Sequence, residues 1–188
     1  MRHADRSCKA PAWAGARGRV AFAGGGRCSV RTKRRLSRRS SDPLSSKADL
    51  VRAYLEARHE EWLALYRRRL ESARDPREAV LAVFDAYTDH AALAYQHGFR
   101  GCGLLNAAAE LPAGDPGRAV VRAHKEEVEG LLAGHLEGLL PGRPDQARAT
   151  AEHLAFLLEG ATARAGLEGN DARLRHARQI ASGLLETL

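Results

Sequence analysis

The sequence predicts an all-α fold, six helices over residues 46–188, and three observations predict it. Apolar residues recur at helical spacing in six successive segments. Capping residues and prolines stand where those helices must begin. No segment reads convincingly as a strand.

The first helix starts at Ser46. Ser46-x-x-Asp49 is a capping box, in which a hydroxyl takes a free backbone N–H and an acid complements the helix dipole. Leu50, Tyr54, Leu55, Trp62, Tyr66 and Leu70 then recur to about residue 72. Asp75-Pro76-x-Glu78 caps a second helix, whose apolar face is Val80, Val83, Phe84 and Tyr87, to about residue 94. Gly98 to Gly101 breaks it, and a short helix over about 103–110 offers Leu104, Leu105 and Ala108 for burial. Asp115-Pro116 opens the fourth helix, with Val120, Val121, His124, Val128, Leu131, Leu132, His135 and Leu139 as its stripe. After the Pro141–Pro144 turn, a fifth helix spans about 145–167 and a sixth about 171–187. Their stripes are Leu154, Leu157, Leu158 and Ala161, then Leu174, Ala177, Ile180 and Leu184.

Composition bounds the rest. The chain has 188 residues, 44% hydrophobic and 28% charged, as in an ordinary globular protein. No apolar run approaches the roughly 20 residues a membrane span requires, so a membrane partner is not expected. Three scattered cysteines, Cys8, Cys28 and Cys102, form neither a disulfide scaffold nor a zinc-binding pair, and a reducing, cytoplasmic setting fits them. Arginine outnumbers lysine 26 to 4 beside abundant Ala and Gly, the usage of a high-GC bacterial genome.

Charge divides the chain. Residues 1–46 carry 12 Lys and Arg against 2 acids, a net of +10, whereas residues 47–188 carry 18 against 21, a net of −3. The N-terminal segment has five glycines, two prolines and no sustained period. Such a composition cannot offset chain entropy by burial, so a disordered segment is expected over 1–45. Its run RTKRRLSRR holds Arg31, Lys33, Arg34, Arg35, Arg38 and Arg39. The plain role of that run is a solvated tail; the sharper one is a non-specific phosphate-binding arm. Gly24-Gly25-Gly26 lacks the Lys-Ser/Thr of a phosphate loop and reads as linker.

Three local patterns then carry a resemblance. Ser46-Lys47-Ala48-Asp49-Leu50 resembles an SK-x-x-L helix start. Residues 101–111, GCGLLNAAAEL, resemble a GC-x-x-x-NAA-x-E segment, and Leu157-Leu158-Glu159-Gly160-Ala161 an LL-x-GA segment. In this order and spacing they are similar to the ligand-binding and dimerisation domain of TetR-family transcriptional regulators, over about three quarters of the chain. The resemblance implies a homodimer whose last two helices form a four-helix bundle across a two-fold axis. It also implies a small-molecule effector bound among the preceding helices, which moves the first helix and the DNA-reading units attached to it. That family's helix-turn-helix should precede Ser46, but residues 1–45 show no amphipathic first helix, no Ala-Gly-Val turn and no Y-x-H-F; Ser40-Ser41-Asp42-Pro43-Leu44 stands there instead. The break lies within a couple of residues of Ser46, as a frameshifted or mis-started reading frame would place it. DNA is then a partner only where a working helix-turn-helix is supplied.

Candidate sites follow. Trp62, Tyr66, Phe84, Tyr87, Phe99 and Phe156 could wall an apolar pocket, ordinary core being their plainer role. His124, on the apolar stripe, is either a ligand contact or a hydrogen-bonded core histidine. Cys102 sits in the field of a helix start, where a thiol can become reactive, or it simply packs. Asn106 could contact a ligand or make a local backbone hydrogen bond. Leu154, Leu157, Leu158, Ala161, Ala165, Ile180 and Leu184 are candidates for a dimer seam or for packing within one chain.

No catalytic residues, cofactor or metal are expected. His59-Glu60-Glu61-Trp62 lacks the second histidine of a zinc-protease motif, His90 and His97 straddle weak periodicity, and no nucleophile–base pair stands out. A regulator with its DNA reader lost is therefore one expectation. The alternative is a helical interaction module whose Arg-rich arm binds nucleic acid without specificity.

Overall fold

The computed structural model describes residues 46–93 and 98–188. The basic run at 31–39, the glycine triplet, Cys8, Cys28 and His97 lie outside the described residues.

Among the described residues there are six helices and no strand: α1 (Lys47–Leu70), α2 (Pro76–Ala92), α3 (Gly103–Ala109), α4 (Pro116–Leu139), α5 (Pro144–Glu168) and α6 (Ala172–Leu185). The starts follow the expected local chemistry. Ser46 Oγ accepts the Asp49 N–H at 3.1 Å and donates to Asp49 Oδ2 at 2.7 Å. Asp75 accepts the Glu78 N–H at 2.8 Å, while Glu78 reaches back to the Arg74 N–H, also at 2.8 Å. Asp115 accepts from Gly117 N–H at 2.8 Å. Pro76, Pro116 and Pro144 occupy first turns, where a missing N–H costs nothing. Gly169 ends α5 with φ +69°, a left-handed cap that L side chains resist.

Helix α2 is the centre. It buries Ala79, Val80, Leu81, Ala82, Val83, Phe84, Ala86 and Tyr87, more than one face of a helix, because α1, α4 and α6 all pack on it. A helix covered on so many sides must be apolar nearly all round. Helix α4 lies on α5, and α5 on α6. Arg178 of α6 donates to both carboxylate oxygens of Asp85 on α2, at 2.6 and 3.1 Å. The short α3 lies against α1 and α4 over a separate small cluster of Leu55, Leu104, Ala108 and Val121.

Two stripes differ from expectation. Leu50 and Tyr54 keep the period of α1 but are 57% and 51% exposed; burial begins at Leu55. A period predicts a shared face, not a partner for every turn. On α5, Leu154, Leu158 and Ala165 are at most 2% exposed, and Leu157 and Ala161 pack against the same intrachain core. Leu154, Leu158 and Ala165 are thus taken up within the chain, under α4 and α6, whereas Leu157 and Ala161 keep part of their surface open. The outward face of α5 carries Ala149, His153, Phe156, Gly160, Ala163 and Leu167, and beside it on α6 Ile180 is exposed while Leu184 is half-buried.

Phe84→Ala should lower stability by about 4 kcal/mol through a cavity in the shared core, whereas Leu50→Ala should change it by less than about 0.5 kcal/mol. Urea unfolding midpoints check both; equal losses would contradict this placement of the core.

Candidate ligand site

Helices α1, α2, α4 and α5 and the start of α3 meet at a small cavity. Arg58 and Trp62 come from α1, Tyr87 and His90 from α2, Thr162 from α5 and His124 from α4, while Cys102, Gly103 and Leu104 close one side. Its volume is about 20 Å³, room for roughly one water molecule. A second, more open space of about 280 Å³ adjoins it, lined by Leu55, Glu56, His59, Leu104, Val120, Ala123, His124 and Glu127. Leu104 and His124 belong to both linings, so these two side chains stand between the spaces.

Trp62 organises the aromatic wall. Tyr66, one turn on, stacks parallel to it at 5.7 Å between centroids; Tyr87 is tilted at 5.2 Å and His124 is edge-on at 5.6 Å. The four-residue step from Trp62 to Tyr66 puts both rings on one face of α1. The Tyr66 hydroxyl and His135 Nε2 share a hydrogen bond of 2.6 Å, joining α1 to α4. The Trp62 indole N–H is buried and has no hydrogen-bond partner among the described residues.

Histidines make the rest of the wall polar. Burial, then the nearby Lys125 charge, holds His124 down to about 3, so the imidazole is neutral at neutral pH. His59 Nε2 meets Glu127 Oε2 at 2.8 Å. Glu127 accepts from His59 Nε2–H, and His59 Nδ1 faces His124 Nδ1, with which it is in close contact. Burial and the Arg58 charge likewise hold His90 down to about 4, and Arg58 donates to its Nε2 at 2.9 Å. Lys125 pairs with Glu159 at 2.7 Å and lies over the Tyr87 ring at 5.8 Å.

The loop before α3 is fastened from beneath. Asn106 Nδ2 donates to the Arg100 carbonyl at 3.0 Å. Gly101 takes φ +85° and lies against the Thr162 carbonyl and Gly166 of α5. A Cβ at Gly166 would overlap the backbone of Arg100 and Gly101. The GC-x-x-x-NAA pattern thus has a physical basis: a left-handed glycine against a helix backbone, a cysteine on the cavity wall and an asparagine that ties the turn.

Of the residues expected at a pocket, Trp62, Tyr87, Cys102 and His124 line the cavity. Tyr66 stands behind Trp62, Phe84 and Phe99 are core, Asn106 serves the loop, and Phe156 is 65% exposed on the far side of α5. Arg58, His90, Gly103, Leu104 and Thr162 were not expected. Only Arg58 left a signal in the sequence, a charge one helical turn before Trp62. Among the described residues no three His, Cys, Asp or Glu side chains are grouped to hold a metal ion.

Two outcomes are expected. Gly166→Ala should destabilise the fold by about 1–3 kcal/mol and speed amide exchange at residues 101–104; unchanged protection there would show that the loop is not seated on α5. The second concerns acid. His124 and His90 stay neutral in the native state while the unfolded chain takes up protons below about pH 6.5, so stability falls as pH drops through that value toward 3. Urea unfolding at pH 7, 5.5 and 4.5 should show a loss on the order of 3 kcal/mol, with a shallower slope in His124→Gln.

No family model matches the chain. No curated protein matches it significantly. The crystal structure of a TetR-family transcriptional regulator from Streptomyces coelicolor is similar to it, at 28% identity and a TM-score of 0.66, covering 76% of this chain and 73% of that one. No helix among the described residues is long and apolar enough to cross a membrane. With the six-helix order and the resemblance of its motifs, this likeness places the chain in a TetR-like fold.

Proposed function

We propose that this chain senses a small effector for a transcriptional regulator, in the cytoplasm and as a homodimer. The observation that carries the reading is the cavity on α1, in a fold similar to that of a regulator. Helix α1 begins where the N-terminal segment ends, and it supplies Arg58 and Trp62 to the wall. Closed, the cavity admits no organic ligand. Joined to its neighbour by movement of Leu104 and His124, it approaches about 300 Å³, the lower end of ligand-pocket sizes. An effector entering there parts α1 from α4 and passes the change to whatever α1 carries.

The outward face of α5 supports self-association. Ala149, Gly160 and Ala163 allow close helix approach, and Phe156 and Leu167, 65% and 85% exposed, supply apolar surface. Ile180 extends that surface onto α6. Sedimentation should give a dimer, and Phe156→Glu with Leu167→Glu should give a folded monomer; a monomeric wild type would overturn this interface.

DNA recognition tests the other half. We propose that residues 1–45 replace a helix-turn-helix through a shifted or mis-started frame. Reading the nucleotide sequence of codons 1–46 in all three frames checks this: an intact helix-turn-helix in another frame supports it, and absence from every frame overturns it. The net charge of +10 over residues 1–46 favours the second reading, an Arg-rich arm on nucleic acid. A specific regulator separates its operator from random DNA by roughly 10³-fold or more; an arm binds both alike, with steep salt dependence.

A further inference from the structure

The cavity wall has one unanswered group. Trp62 is 3% exposed and its indole N–H has no partner among the described residues, although buried indoles ordinarily find one. The closed cavity beside it has Arg58, His90, His124, Tyr87 and Cys102 as its titratable side chains, and the adjoining space that a ligand must also fill adds His59, Glu56 and Glu127. Arg58 adds positive potential at that wall while engaged with Glu61 and His90. Aromatic surfaces of Trp62, Tyr87 and His124 make up much of the remainder.

From these features we infer that the effector is a compact aromatic molecule bearing a carbonyl or carboxylate oxygen, and that this oxygen accepts the Trp62 indole N–H. The inference rests on the cavity being the effector site. Two features set the class. A buried donor selects for an acceptor, since a ligand without one leaves the N–H unsatisfied in a drier site. The flat rings favour a flat ligand by offset or edge packing.

The experiment uses the full chain and matched probes: acetophenone, α-methylstyrene, which replaces the C=O by C=CH₂ at nearly the same shape, and benzoate. Binding is followed by the indole N–H resonances of Trp13 and Trp62, assigned with a Trp13→Phe variant, and by titration calorimetry. Acetophenone or benzoate should bind about five- to tenfold more tightly than α-methylstyrene and move the Trp62 N–H resonance downfield. Trp62→Phe should remove that preference while leaving the hydrocarbon within about twofold; if that variant does not fold, the wild-type resonance decides alone. The larger shift, from benzoate or from acetophenone, says whether the oxygen is charged. Equal binding of ketone and hydrocarbon with an unmoved resonance overturns the acceptor and spares the cavity. Failure of all three probes to bind overturns both.

Discussion

The burial of α2 on nearly every side is the constraint on which the other elements depend. Such a helix has little room for charge, and its acids are therefore matched to specific neighbours. Asp85 meets Arg178 of α6, and Asp89 meets Arg69 of α1, one of its two bonds measuring 2.6 Å. Exposed ion pairs of this kind add little stability. Their geometry nevertheless sets which way α1 and α6 lie across α2. With those directions set, Tyr87 and His90 face the gap between α1 and α4, and the cavity is left there because ring-shaped and imidazole side chains do not close it.

The seam between α1 and α4 differs from the rest of the core. Elsewhere helices meet mainly through apolar side chains, with single ion pairs such as Arg178–Asp85 and Lys125–Glu159 beside them. Here His59, His124, Glu127, Tyr66 and His135 supply directional contacts. Apolar packing tolerates small slides, whereas a hydrogen bond is either made or lost within a few tenths of an ångström. Helix α1 is thus seated in a defined position on a surface that also resists full dehydration.

Much of the fold was legible in the sequence. Ser46, Asp75 and Asp115, with Pro76, Pro116 and Pro144, place helix starts by purely local chemistry, so every observed boundary falls within about two residues of expectation. The site was legible only where a side chain is unusual for its face. Trp62, Tyr87 and His124 stand out as bulky or polar members of apolar stripes, and Cys102 through its motif. Thr162 and Leu104 are ordinary residues whose role comes from what lies opposite them, which no local pattern records. The leucines of α5 misled for a related reason. A leucine stripe identifies the driest face of a helix, and here α4 and α6 bury Leu154 and Leu158 within one chain.

The contact between Gly101 and Gly166 has a mechanical meaning. Most helix contacts run through side chains, which can change rotamer and so absorb part of any displacement. Here main chain lies on main chain with no Cβ between them. The loop that carries Cys102 thus bears on the backbone of α5 with no side chain between them, and α5 is a helix of about seven turns. Phe156 and Leu167 ride on the same helix, facing away. Whatever rests against them rests on the helix that also lines the cavity through Thr162.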